Sequence, residues 1–316
     1  MARRIATTLA VVALVLAAVA FAVRFVPIVN RPLLVIAALA PYLMLGAPVA
    51  VLVFAALRRW GATLLAVALT AAVVAVQAPL YSADDAPAGV TVRFASVNLR
   101  YGEADATAVV TLAREQVDVL AVQELTPQLA ENLAELGADF PFQVLQPRDG
   151  PAGVGIWSRY PMRAGTSFDE FWLGLLTARV RIPGAAAETT VVTTHLSAPW
   201  PDPFEGWRQD VTRLPTVLQQ IAADAPGAVL VAGDLNSTPD MREFRALLRD
   251  GYHDAAEQAG AGLTRTHPAD IAVPPVFAVD HILTRDATAT SVRTVAVPGS
   301  DHRALIAEIV LPELLA

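Results

Sequence analysis

The chain has no cysteine and no lysine among its 316 residues. The first absence excludes disulfides, thiolate nucleophiles and zinc–sulfur sites. The second excludes Schiff-base chemistry and any phosphate loop that depends on a lysine. Acidic residues are missing from one region only. Residues 1–81 contain no Asp or Glu and six Arg, at positions 3, 4, 24, 31, 58 and 59. All 30 acids therefore fall in residues 82–316, against 17 Arg, a net charge of −13. That balance argues against tight, non-specific binding to duplex nucleic acid, which draws on clustered basic side chains. Cleavage of single strands, short oligonucleotides or small esters stays open.

What the chain has in excess is apolar. Hydrophobic residues make up 54% of it and the mean hydropathy is +0.47, above that of an ordinary soluble protein. The excess lies in three runs, 5–26, 33–57 and 62–80, each near the roughly 20 residues needed to cross a bilayer. Three transmembrane helices are therefore expected within residues 1–81. A small, polar linker follows at 82–89, Ser-Ala-Asp-Asp-Ala-Pro-Ala-Gly, and then one domain over 90–316. Arg3, Arg4, Arg58 and Arg59 outweigh Arg24 and Arg31 under the positive-inside rule. The N-terminus is then cytoplasmic and the domain after the third span extracytoplasmic. A cleaved signal peptide accounts less well for the first run, which is long and followed at once by two more. Pro41, Gly46 and Pro48 interrupt the second run, where a kinked span is the expected consequence. No acid or histidine lies in the spans to mark a proton or ion path.

Within 90–316, strand-like runs rich in Val, Ile and Thr fall near 90–98, 117–123, 153–158, 175–182, 189–196, 228–234, 276–283, 289–297 and 304–311. Helical spacing falls near 105–116, 127–136, 205–222 and 239–250. This supports a mixed α/β domain, with residues 251–275 read as an irregular loop of functional length.

The polar residues at the ends of these runs carry the chemistry. Asn98 ends the first run, Gln123-Glu124 the second, and His195 the run Thr189–Thr194. Asp234 and Asn236 end the run that begins at Ala228. Residues i and i+2 on a strand share a face, so this carboxylate and amide are expected to project together. Asp280-His281 and Ser300-Asp301-His302-Arg303 follow downstream. Carboxylates with histidine at strand ends are the means for metal-assisted attack of water on a phosphate ester. Asp301 and His302 can share a site only from a turn, which Pro298-Gly299-Ser300 supplies.

In content and order these motifs resemble the endonuclease/exonuclease/phosphatase family, over roughly residues 90–312. The resemblance implies a four-layer α/β/β/α sandwich, deoxyribonuclease I-like, with its site at one end of two packed sheets. It implies Glu124 as the main ligand of a Mg²⁺ ion (Mn²⁺ the alternative), with Asp301 and Asn98 nearby and Gln123 in support. Asp234 would orient or deprotonate water. Asn236 and His195 would bind the phosphate, and His302 would act as base or transition-state donor with Asp280 fixing its tautomer. His281 reads as structural. Trp200 and Trp207 flank a Pro-rich segment beside the site, which reads as a packed surface loop, with stacking on a base or contact with lipid as the other reading. Abasic-site enzymes of this family carry a catalytic tyrosine between the glutamate and histidine motifs. The nearest candidate, Tyr160, sits in an ordinary strand-end pattern and takes no such role.

The expectation is therefore a membrane-anchored metal-dependent hydrolase of ester bonds, acting on phosphodiesters or phosphomonoesters. Its substrate would be a lipid head group, a small phosphoester or nucleic acid; nothing calls for a protein partner. The alternatives are an extracytoplasmic nuclease and a non-catalytic membrane receptor that kept the fold.

Overall fold

The computed structural model describes residues 1–85, 87–168 and 171–314. It divides into two compact units, Met1–Pro79 with Thr238–Ala246, and Leu80–Ser237 with Leu247–Ala316.

The first unit is helical: α1 (Ala2–Val23), α2 (Arg31–Ala38), α3 (Ala40–Leu43), α4 (Gly46–Ala56) and α5 (Trp60–Gln77). Two helices are long and apolar enough to cross a membrane, Ala2–Val23 and Trp60–Tyr81. The second apolar run is bent more sharply than a continuous helix allows. It breaks at Leu39 into pieces bent by 61°, so two crossings stand on length and composition, and a third only if the bent pair is one span. Pro41, in the first turn of α3, accounts for the break: it has no N–H to donate to the Ala37 carbonyl one turn back, and its ring crowds that carbonyl. Small residues bring the helices close. A Cβ on Gly46 would lie 2.4 Å from the Ala13 carbonyl oxygen. Asp240, from the segment Thr238–Ala246, is fully buried in this unit and paired with Arg24 at the end of α1.

The second unit is an α/β sandwich of two six-stranded sheets. In chain order the remaining elements are β1 (Val90–Asn98), α6 (Ala106–Gln116), β2 (Val119–Gln123), α7 (Pro127–Asn132), β3 (Phe142–Gln146), β4 (Val154–Ser158), β5 (Met162–Ser167), β6 (Leu175–Val180), β7 (Thr189–His195), α8 (Phe204–Asp224), β8 (Val229–Asp234), α9 (Arg242–Leu247, which belongs to the first unit but for its last residue), β9 (Tyr252–Asp254), α10 (Ala255–Gln258), β10 (Asp280–Arg285), β11 (Thr288–Ala296) and β12 (Arg303–Leu311). One sheet runs β11-β12-β1-β2-β4-β3 and the other β5-β6-β7-β8-β10-β9.

Alternation along the strands builds the layers. Val92 and Phe94 of β1, Val119 and Ala121 of β2, and Leu305, Ala307 and Ile309 of β12 join Leu230 and Ala232 of β8 in the core between the sheets. The intervening Ala95, Val97, Leu120, Val122 and Ile306 pack on the other side against Val109, Leu112 and Ala113 of α6. Asp105 caps α6 by accepting from the Ala108 N–H at 2.8 Å, and Thr126 caps α7 in the same way. Helix α8 buries Trp207, Val211, Leu214, Leu218 and Ile221 at helical spacing. Gln123, fully buried, links the two sheets by donating to Thr193 Oγ1 at 2.9 Å.

Nine strands fall where the Val/Ile/Thr runs place them. The three without a clear signal, β3, β5 and β9, are sheet edges, where one-sided burial removes the apolar pattern. Two boundaries shift. β10 begins at Asp280 rather than 276, because Phe277 pairs instead with His267 in an isolated bridge. The region 251–275 opens with β9 and α10 rather than being wholly irregular. The segment after Pro79 is tied down, with the Asp84 N–H donating to the Gln258 carbonyl and Leu80 accepting from Gly262.

Candidate active site

Register places the candidates at one end of both sheets. β1 and β2 are parallel, with Asn98 opposite Gln123. β7 and β8 are parallel, with His195 opposite Asp234, and the antiparallel β10 sets Asp280 on the other side of Asp234. Asn98, Glu124, His195 and Asp234 thus lie at or just past C-terminal strand ends. Asp280 opens its strand, and His302 immediately precedes β12, antiparallel to β1. The close approach of β7 and β8 requires Gly233, where a Cβ would sit 1.9 Å from the Thr194 carbonyl oxygen.

Asp234 and Asn236 converge by a different route from a continuing strand. The strand stops at Asp234, and Asn236 turns back with φ of +45°. Its N–H donates to Asp234 Oδ1 at 2.9 Å, an Asx turn closed by the Asp234 side chain, and Asn is one of the few non-glycine residues that adopts left-handed backbone readily. Asp234 Oδ2 then becomes the hub of the site. Asn98 Nδ2 donates to it at 3.2 Å, His195 Nε2 lies 3.5 Å away and His302 Nε2 3.6 Å away. His302 Nδ1 meets Asp280 Oδ2 at 2.7 Å.

These groups are buried, which sets their proton affinities. Burial raises the Asp234 carboxyl above its usual range, with the Asp280 charge adding to it and His302 and His195 opposing. Burial would also raise Asp280, yet the His302 imidazolium holds it below the usual range. Burial works against a charged His302, but the Asp280 and Asp234 carboxylates push it up to about 10. An upward shift of this kind suits His302 to hold a proton and donate it at neutral pH, with Asp234 as the neighbouring carboxylate able to accept one.

Asp301 and His302 do share the site from a bend after Gly299, whose φ is +83°. Ser300 Oγ ties this bend to β1 by donating to the Asn98 carbonyl at 2.8 Å, and it accepts the His302 N–H. Glu124 adopts φ of +61°, strained backbone for a non-glycine residue. Its carboxylate accepts from Asn98 Nδ2 at 2.9 Å and from the Tyr101 N–H at 2.6 Å. Among the described residues, the groups whose ligand atoms converge are Asp234-Asp280-His302 and His267-Asp301-His302; Glu124 is in neither. A buried carboxylate with two neutral donors still favours a cation beside it. Glu124 and Asp301 are hard oxygen donors of the kind Mg²⁺ takes.

Two residues whose roles are not legible in the sequence stand behind this layer. Trp207 belongs to α8 and is fully buried, not part of a surface loop; its Nε1–H donates to the Asn236 carbonyl at 2.9 Å. Asp210, one helical turn on, accepts from the Ser197 N–H and Oγ at 2.9 and 2.6 Å. One face of α8 thereby holds the chain just after both β7 and β8. Helical spacing in residues 205–222 was the only available signal. Trp207→Phe keeps an aromatic side chain, smaller than the indole, but removes the donor. Turnover is expected to fall about ten- to a hundredfold through misplacement of Asn236, with KM little changed; steady-state kinetics on the full chain checks it, and an unchanged kcat would remove Trp207 from this role.

Other candidates lie elsewhere. His281 is buried on the far side of its strand, near the Ser237 carbonyl at 2.9 Å and Asp254 at 3.4 Å, as a structural residue should be. Tyr160 lies beside the Arg93–Asp118 pair, consistent with no catalytic role. Trp200 is exposed. Arg100 is engaged by Glu103 and Asp270 at 3.2 and 3.1 Å.

Residues 95–302 match the family described as "Endonuclease/Exonuclease/phosphatase family". The fold is shared with TDP2 of D. rerio, solved in complex with a single strand DNA product (21% identity, 69% of this chain, 98% of that chain, TM-score 0.56). It is also shared with an endonuclease/exonuclease/phosphatase from Bacteroides vulgatus (18%, 70% and 99%, TM-score 0.57) and with truncated Caenorhabditis elegans TDP2 (17%, 70% and 98%, TM-score 0.55). A search of curated proteins finds no match.

Proposed function

Because this chain belongs to the endonuclease/exonuclease/phosphatase family, it is a metal-dependent hydrolase of phosphoester bonds, and we propose that it is a membrane-anchored, Mg²⁺-dependent phosphodiesterase. Residues 1–81 would form the anchor, with the bent pair as a third crossing, and residues 90–316 the extracytoplasmic catalytic domain. The arginines at 3, 4, 58 and 59 support that orientation.

The observation that carries the reading is the Asp234 Oδ2 hub among Asn98, His195 and His302. Asp234 orients the attacking water and takes its proton. His302, held by Asp280, donates from Nε2 to a non-bridging phosphate oxygen. His195, on the other side of the hub, donates to another, and its Nδ1 is aimed at the Pro151 carbonyl at 3.2 Å. Asn236 braces Asp234 through its N–H and binds the phosphate. Mg²⁺ held by Glu124 and Asp301, with Asn98 beside it, would neutralise charge developing on the phosphate.

The net charge of −13 over residues 82–316 favours a small or lipid-linked diester over duplex nucleic acid. An extracytoplasmic nuclease is the second reading, supported by the D. rerio neighbour and its single strand DNA product. The full-length protein in detergent, given bis-p-nitrophenyl phosphate, p-nitrophenyl phosphate and single-stranded DNA, separates these. Expected is Mg²⁺-dependent hydrolysis of the diester, abolished by EDTA and slower on the monoester. Turnover that prefers the monoester would overturn the diesterase assignment. Preference for DNA would favour the second reading.

A further inference from the structure

His267 is the one histidine near the site that the mechanism above does not use. Its backbone is fixed by pairing with Phe277: its N–H donates to the Phe277 carbonyl at 3.1 Å, and its carbonyl accepts from Val276 and Phe277. Its ring stacks on His302, with centroids 4.5 Å apart and planes 39° from parallel. Nδ1 of this ring is buried with no hydrogen-bond partner. A buried polar atom left unmatched costs stability and needs a reason to persist.

The neighbours supply one. His267, Asp301 and His302 each offer a ligand atom, all within 4.8 Å of one another. The Ala269 N–H donates to the Asp301 carbonyl at 2.7 Å, which ties the His267 segment to the bend carrying Asp301 and His302. Asp280 holds His302 Nδ1 at 2.7 Å and leaves Nε2 facing the site. A carboxylate behind an imidazole is the arrangement that orients metal-binding histidines. The donor set is two imidazoles and one carboxylate. That set suits zinc or cobalt with a fourth position open, whereas Mg²⁺ prefers oxygen ligands throughout.

We propose that His267, Asp301 and His302 form a second cation site, selective for a borderline transition metal such as Zn²⁺, and that filling it inhibits the enzyme. A metal on His302 Nε2 occupies the atom that would otherwise donate to the phosphate, and it draws Asp301 away from the Mg²⁺ position. The inhibitory half of the proposal rests on the catalytic reading above; the binding half does not.

The test uses full-length protein in detergent with saturating Mg²⁺. Zn²⁺ binding is followed by calorimetry, and Co²⁺ binding by the visible absorption of low-coordinate, nitrogen-ligated cobalt. Expected are one Zn²⁺ per chain, a visible Co²⁺ band, and more than about tenfold weaker binding in His267→Phe. The Zn²⁺ concentration that halves hydrolysis of bis-p-nitrophenyl phosphate should shift by the same factor. His267→Gln, which keeps a polar side chain, provides the same reading if the phenylalanine variant fails to fold. Zn²⁺ binding of parent strength in the variants would overturn the site and point to Asp234-Asp280-His302 instead, and no binding in the parent would also overturn it. Zn²⁺ bound through His267 in a protein inert with every phosphoester would leave the site standing and bring down the catalytic reading.

Discussion

Asp234→Asn is expected to lower turnover by about 10² to 10⁴-fold while leaving the metal-free protein no less stable than the parent. The rate loss is that of removing a positioned proton acceptor. An amide at 234 can still accept from the Asn236 N–H through its oxygen. Its NH₂ group would then face Asn98, His195 and His302, three nitrogens now gathered around one carboxylate oxygen. Stability does not follow the rate. Burial and the Asp280 charge raise the Asp234 carboxyl above its unfolded value. An acid so shifted opposes folding once the pH passes its unfolded value, and a neutral amide removes that opposition. Steady-state rates with Mg²⁺ and thermal unfolding in EDTA measure the two effects side by side. A variant within about tenfold of parental turnover would remove Asp234 from the proton path.

His302→Asn should contrast with it by losing both activity and stability, since it leaves Asp280 buried without its 2.7 Å partner. The parental contribution of His302 follows from its upward shift to about 10. It is fully present below the unfolded value of 6.5 and lost as the pH rises through about 10. The stability gap between parent and variant should therefore narrow over that interval.

The second large effect is expected in the helical unit. Asp240 is fully buried there. Its Oδ1 takes the Arg24 guanidinium and the Gln77 amide, the latter at 2.9 Å, while Oδ2 has no partner. The Arg245 guanidinium bonds the Arg24 carbonyl, and Glu243 accepts from the Ile28 N–H at 2.8 Å. Arg24→Met would take the paired cation from a buried carboxylate, a loss of about 3–5 kcal/mol for a broken buried pair. Adding Asp240→Leu should recover most of that loss, because two apolar side chains dispense with the desolvation of both charges. Loss of helical circular dichroism on heating the full-length protein in detergent reads both variants. A double variant as unstable as the single one would show that the pair is not the source.

The motif residues were legible because each stands where a short apolar run stops. Asn98, His195 and Asp234 end, and Glu124 follows, strands rich in Val or Thr, and that signal is local. His267 was not legible, because its place against His302 depends on the bridge to Phe277 and on no pattern around it. Trp207 was visible as an aromatic near His195, but its role appears only once α8 lies across the ends of β7 and β8. The grouping of Thr238–Ala246 with the helices joins segments more than 160 residues apart, Gln77 to Asp240 among them. No local pattern records such a pairing.

By itself the sequence determined the division into an apolar, acid-free first quarter and an acidic α/β domain, the order of the site motifs and the exclusion of thiol and lysine chemistry. Those are matters of composition and of period along the chain. Only the tertiary structure shows that the proton affinities of both His302 and Asp234 are raised, since that depends on burial and on the distance between charges brought together from four different strand ends. It likewise decided that the second apolar run breaks by 61° at Leu39. Hydropathy measures how much of a segment is apolar, and the path of the backbone is set by Pro41 and by what the segment packs against.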